Sequence, residues 1–262
     1  MFDLTGKVAV VAGAASGIGR AIAIAYAEQG ASVDCLDINE AGCHATAQSI
    51  EALGGKASAA ALDVRDSRAV DAAMGELVSA RGRLDIAACT PGINIRKPML
   101  RYTDADYDAV TDVNLRGSFN VLRAVGRIMY EQRSGSIIVI SSISSRVVEP
   151  GQVIYAGTKA ALAAMVRVLA AELGPYGVRV NAIAPGPIET ELTVPIRNDA
   201  GWQDAYASRV AAKRWGQPAE IAAPAVFLAS DEASFVNGAQ LYVDGGWTDI
   251  DQRYQGGPID GS

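Results

Sequence analysis

Short apolar runs recur along the chain and alternate with longer alanine-rich stretches. Residues 7–12 read Lys-Val-Ala-Val-Val-Ala, a β-branched run suited to a strand buried on both faces. Comparable runs predict strands near 7–13, 32–37, 57–63, 84–89, 136–142, 178–184 and 239–243. The stretches between them predict helices near 18–29, 40–53, 67–81, 104–132, 154–174 and 218–230. Strand and helix alternate without a linker, internal repeat or low-complexity tract, which implies a parallel sheet covered by helices on both faces. The expected fold is α/β, one Rossmann-type doubly wound parallel sheet in a single domain over 1–262. Residues 191–215 break the alternation with a polar and aromatic mixture, as expected of a substrate lid. Residues 248–262 read as a C-terminal tail. Trp247, Tyr254 and Ile259 suit it to packing on a neighbouring subunit.

Ligands in such sheets bind beyond the carboxyl ends of the strands. Those ends carry Gly13, Asp37, Asp63, Gly92, Ser142 and Pro185, so the candidate chemistry converges on one edge. The first strand runs directly into Gly13-Ala14-Ala15-Ser16-Gly17-Ile18-Gly19 and then a helix. Glycines admit a pyrophosphate close to the backbone, and the helix start offers free N–H groups and a positive dipole end. The spacing is G-x-x-x-G-x-G rather than G-x-G-x-x-G, and a tight strand–helix turn with no ligand would look the same. The second strand ends in Asp37, about 20 positions further on, where a carboxylate accepts hydrogen bonds from the adenosine ribose. A 2′-phosphate there would meet like charge, and the next residues, Ile38 and Asn39, are neutral. The expected cofactor is therefore NAD and not NADP.

Tyr155 and Lys159 are four residues apart on a predicted helix, hence on one face. A lysine ammonium there should lower the phenol's pKa, and a phenolate near neutrality can exchange a proton with an alcohol or carbonyl. Ser142, closing the apolar run 137–140, could hydrogen-bond the same substrate oxygen. Tyr-x-x-x-Lys alone also describes many solvated helix faces. The glycine turn upstream is what favours chemistry.

Together these residues resemble the short-chain dehydrogenase/reductase family over about residues 4–247. Asp63-Val64 resembles the family's adenine-contacting pair, Asn114 in Val113-Asn114-Leu115 its catalytic asparagine, and Pro185-Gly186-Pro187-Ile188-Glu189-Thr190 the segment that closes over the nicotinamide. Asp244-Gly245-Gly246 resembles its C-terminal signature. The resemblance implies a catalytic set of Asn114, Ser142, Tyr155 and Lys159. It implies cofactor contacts at Gly13, Ser16, Gly17, Ile18, Gly19, Asp37, Asp63, Val64, Gly92, Tyr155, Lys159, Pro185, Gly186, Ile188 and Thr190. It also implies that Lys159 holds the nicotinamide ribose, that Asn114 holds a water linking Lys159 to solvent, and that the chain forms a homotetramer. Two departures stand out. Ala12 replaces the usual Thr, and Cys89-Thr90-Pro91-Gly92 replaces Asn-Asn-Ala-Gly, removing an amide that braces the central sheet. A local rewiring with activity retained is expected.

The resulting expectation is reversible hydride transfer between NAD and a secondary alcohol or ketone. The loop Ile93-Asn94-Ile95-Arg96-Lys97-Pro98-Met99 resembles that of family members acting on gluconate-like sugar acids. Asn94, Arg96, Ser142, Ser144 and Tyr155 are the candidate substrate contacts. Lys97 and Arg146 could add charge-assisted bonds to a carboxylate, and Glu149 lies where hydroxyls could be held. The same cations could equally be solvated or subunit contacts. A polyol, sugar or sugar acid is favoured over a 3-oxoacyl thioester, and a non-catalytic nucleotide-binding regulator is the reading from another class.

Composition narrows the alternatives. At 262 residues and 50% hydrophobic, the chain can bury a sizeable core. A net charge of −6 disfavours nucleic acid. No uninterrupted apolar stretch of about 18 residues is present, so no membrane span is expected. No secretory signal is read at the N-terminus. Cys35, Cys43 and Cys89 are odd in number, lack metal spacing and read as reduced structural cysteines of a cytoplasmic protein. No metal site is expected, and His44 reads as a surface residue.

Overall fold

The computed structural model describes residues 2–249. Seven parallel strands form one sheet in the order β3-β2-β1-β4-β5-β6-β7. The strands are β1 (Val8–Ala12), β2 (Ser32–Asp37), β3 (Lys56–Ala61), β4 (Ile86–Cys89), β5 (Gly135–Ile140), β6 (Val178–Pro185) and β7 (Gln240–Val243). The central strands β1 and β4 are buried along their full length, which is why their sequences run apolar rather than alternate. β3 and β7, at the sheet's edges, are far more exposed.

Crossover helices cover both faces. On one face α1 (Gly17–Glu28) and α9 (Pro218–Ala229) bury Ile22, Tyr26, Ile221 and Ala225. On the other α3 (Ser67–Arg81), α5 (Ser118–Gln132) and α6 (Val153–Leu173) bury Met74, Leu122, Met129 and Leu162. α2 (Glu40–Ala52) follows β2, and its start is capped by Asn39. The tail residues 250–262 lie outside the described residues.

One expectation is corrected. The single helix read over 104–132 is instead α4 (Asp104–Thr111), a π-helical turn Asp112–Gly117, and α5. The wider turn takes in one extra residue without breaking the helical run, so composition does not mark it. Residues 153–176 form one helix that by length and composition alone could cross a membrane, with mean hydropathy 1.5. Here α6 packs against β6, and it carries the buried Lys159. The three cysteines are free and buried. His44 is exposed, 3.8 Å from Glu40.

Candidate active site

β1 separates β2 from β4, so the strand order reverses there and opens a crevice at their carboxyl ends. Gly13 closes β1 with φ +89°, a conformation that side chains oppose. A Cβ on Gly19 would come within 2.0 Å of the Gly13 carbonyl oxygen, so the turn can fold tightly over the start of α1 only with glycine there. The Thr90 hydroxyl, at the end of β4, donates to the carbonyls of Ala12 at 2.8 Å and Gly13 at 3.2 Å. Thr90 thereby ties β4 to the glycine turn, the bracing that Cys89 cannot supply. Cys89 stays buried, and burial pushes its thiol up to about 11.

A cleft of about 220 Å³ runs from this turn towards β5 and β6. Gly13, Ser16, Gly17, Ile18, Gly19, Asp37, Gly92, Tyr155, Lys159, Pro185, Gly186, Ile188 and Thr190 line it, as the sequence leads one to expect. Asp63 and Val64 do not. Arg65 forks onto the Asp63 carboxylate, with Nη2 at 2.6 Å, and Val64 is buried under Gly117. Asp37 is fixed at the cleft's end, accepting from the Asn39 N–H at 3.0 Å and the Ala15 N–H at 3.3 Å. A close-fitting glycine turn, a helix start and a ribose-height carboxylate in one cleft suit a nicotinamide dinucleotide.

A second cavity, about 280 Å³, adjoins the first, and Ser142 and Tyr155 line both. β5 and a short 3-10 turn deliver Ser142, which is buried, and its Oγ accepts from the Ser144 N–H at 3.0 Å. α6 presents Tyr155 and Lys159 one turn apart. The expected lowering of the phenol by Lys159 is not found. The Lys159 ammonium lies 5.7 Å from the Tyr155 ring centre and donates to the Ile140 carbonyl at 2.9 Å. Burial is the dominant influence on both groups. It raises the Tyr155 phenol above its ordinary value, against the pull of the Ser142 hydroxyl and the Arg96 charge. It presses the Lys159 ammonium down to about 8.

Asn114, fully buried in the π turn, accepts from the Ile93 N–H at 2.8 Å. Its amide donates to the Ile93 carbonyl at 2.9 Å and to Thr158 Oγ at 3.2 Å. It therefore clamps the chain just after Gly92, beside Lys159. Such π turns recur at functional sites because they re-aim one side chain without ending a helix.

Of the substrate candidates, Asn94, Arg96, Ser142, Ser144 and Tyr155 all line the second cavity. Two other cations read as possible substrate contacts do not. Lys97 Nζ bonds Asp106 at 2.6 Å, and Arg146 pairs with Asp249 at 2.8 Å. Arg96 is itself bonded to Glu149 and donates to the Tyr206 hydroxyl at 3.0 Å. Asn94 donates to Gln152 at 2.6 Å, and Gln152 donates to Glu149. Sequence reasoning missed Gln152, Tyr206, Arg209 and Trp215 on this wall. For Tyr206, Arg209 and Trp215 the polar and aromatic mixture of 191–215 was the available signal, and Gln152 carried none. That segment forms a 3-10 turn Glu191–Thr193, α7 (Val194–Arg197) and α8 (Ala200–Arg209). Tyr206 stacks on Trp215, with ring centres 5.3 Å apart.

A family model described as enoyl-(acyl carrier protein) reductase matches residues 13–248. The chain is 40% identical to a D-threitol dehydrogenase of Mycolicibacterium smegmatis, covering 94% of this chain and 95% of that one. It is 39% identical to a 3-oxoacyl-[acyl-carrier-protein] reductase of Thermotoga maritima, covering 93% and 98%. The crystal structure of a gluconate 5-dehydrogenase from Burkholderia cenocepacia, in complex with NADP and tartrate, superposes with a TM-score of 0.92. The two share 38% identity over 95% of this chain and 98% of that one. This chain belongs to the short-chain dehydrogenase/reductase family. It is a nicotinamide-dependent oxidoreductase acting on a secondary alcohol/ketone pair.

Proposed function

We propose that the chain is an NAD-dependent dehydrogenase of a polyol, sugar or sugar acid. The observation that carries this is the meeting of two cavities at Ser142 and Tyr155. The first fits a dinucleotide, and the second is small, polar and aromatic. The cofactor, when bound, accepts or returns the hydride. Tyr155 takes the proton from the alcohol oxygen as the carbonyl forms and returns it in the reverse direction. Ser142 donates a hydrogen bond to that oxygen and supports the charge developing on it. Lys159, held by Ile140, sets a positive charge beside the phenol and would hold the nicotinamide ribose. Asn114 fixes Gly92 and Ile93 around that ammonium and holds the water through which Lys159 exchanges protons.

Asp37 supports NAD, because a 2′-phosphate would face its carboxylate. The Burkholderia relative's NADP makes this the first point to test. Residues 191–215 act as the lid over the substrate. Homotetramer assembly, through α5 and α6 and the β7 edge, and a cytoplasmic location complete the reading. Val168 on α6 and Phe119 on α5 are large apolar side chains that their own chain leaves exposed.

The test is NADH or NADPH formation, followed by the absorbance of the reduced nicotinamide, over polyols, sugars and sugar acids. Turnover of several such compounds with NAD is expected. Reduction confined to acyl thioesters would establish the second reading, a 3-oxoacyl thioester reductase, which the similarity to the Thermotoga enzyme favours.

A further inference from the structure

The wall of the substrate cavity carries three charged side chains, Arg96, Glu149 and Arg209. Two of them cancel. Arg96 Nη1 is bonded to Glu149 Oε1, and the same oxygen accepts from the Tyr206 hydroxyl at 2.5 Å and from Gln152 Nε2. A substrate carboxylate brought to Arg96 would sit beside Glu149 and meet like charge. It would also compete for a guanidinium already engaged by Tyr206.

Arg209 differs. Among the described residues it enters none of the ion pairs made by arginines. It closes α8 three residues after Tyr206, so both project from one face of that helix. Its guanidinium lies over the Trp247 ring, 4.9 Å from the centre. Such stacking restrains the side chain while leaving the planar N–H fork free to grip a carboxylate with two bonds.

We propose that Arg209 is the residue that receives the carboxylate of an acidic substrate. The Arg96–Glu149 pair is a neutral frame that positions Tyr206 and Gln152 and offers Glu149 to substrate hydroxyls. The net charge of this wall, one cation over a balanced pair, favours an anionic, hydroxyl-bearing compound such as an aldonate over a neutral polyol. This rests on the proposed dehydrogenase reading and adds to it the residue that sets substrate charge.

The experiment compares the full-length enzyme with Arg209→Gln and Arg209→Lys. Each is assayed on gluconate and on sorbitol, and each is titrated calorimetrically with tartrate. Loss of a bond to a charged group corresponds to about a ten- to hundredfold effect. Arg209→Gln should therefore raise KM for gluconate by about that factor and change kcat little. It should lower the gluconate-to-sorbitol ratio of kcat/KM by a similar factor, and Arg209→Lys should recover part of the loss. An unchanged ratio in Arg209→Gln, with only a lower melting temperature, would make Arg209 a helix-end charge and overturn the inference. A native enzyme that turns over sorbitol and neither turns over gluconate nor binds tartrate overturns it too, with the dehydrogenase reading intact. Should no compound be turned over, the functional reading falls and tartrate decides the inference separately. Binding lost in Arg209→Gln upholds the anion site, and equal binding refutes it.

Discussion

The ammonium of Lys159 lies 5.7 Å from the centre of the Tyr155 ring and gives its hydrogen bond to the carbonyl of Ile140 at 2.9 Å. Despite that proximity, each group is governed mainly by its own burial. Tyr155 holds its proton more firmly than a free phenol, and Lys159 holds its proton less firmly than a free amine. The phenol and the cation beside it are thus both shifted by desolvation.

Deleting the phenolic hydroxyl tests the acid–base role. Tyr155→Phe keeps the ring but removes the proton donor, so kcat should fall by about 10²–10⁴. Steady-state assay of the folded variant checks this, with circular dichroism confirming the fold. Near-native turnover would defeat the assignment.

Lys159 should cost stability. Its folded pKa, about 8, lies below the free value of 10.5. Below pH 8 both states are protonated and the full cost of burying the charge is present. Between pH 8 and 10.5 the unfolded chain binds more protons than the folded one, so stability rises with pH and the cost fades. Lys159→Met should raise the melting temperature at pH 7 by relieving a penalty on the order of 2–4 kcal/mol, less about 1 kcal/mol for the lost bond to Ile140. The gain should shrink between pH 8 and 10, while turnover is lost. Calorimetry across that range checks both, and a gain independent of pH would contradict the account.

Ser142 lowers the phenol's pKa while burial raises it. Alcohol oxidation needs the deprotonated phenol, so activity should climb with pH. Ser142→Ala removes the lowering influence, and the rise of kcat/KM should move to higher pH as kcat drops. Arg96→Gln should move it the same way, because the Arg96 charge also lowers the phenol. Rate profiles carried well past about pH 10, the ordinary phenol value, decide the matter, and a shift towards acid would reverse the sign argued here.

Asp37 should set cofactor choice. Asp37→Ala removes a charged acceptor worth about 1.5–3 kcal/mol, so KM for NAD should rise about ten- to hundredfold while KM for NADP falls. Initial rates with both cofactors measure this. Equal use of the two by the native enzyme would refute the proposed preference.

Assembly gives a further check. Light scattering at micromolar concentration should report a tetramer. Phe119→Glu with Val168→Glu, both on exposed helix faces, should yield smaller species. A monomeric native protein would overturn the proposed assembly.

The sequence by itself determined the strands, the crossover helices, the glycine turn and the convergence of Ser142, Tyr155 and Lys159 on one edge of the sheet. These follow from local properties. Buried parallel strands need apolar runs, a tight turn needs glycine, and four residues make one helical turn. Tertiary structure decided what depended on partners distant in the chain. Asp106 withdrew Lys97 from the site, and Glu149 neutralised Arg96. Arg65 took the Asp63 carboxylate, though only two residues away, because nothing in the local pattern says which way a side chain folds. Thr90 replaced the missing amide by reaching the end of β1. The protonation of Tyr155 was likewise beyond the four-residue spacing, which supplies the neighbouring charge but not the burial. Desolvation is a sum over everything packed around a group, and only the folded chain fixes that sum.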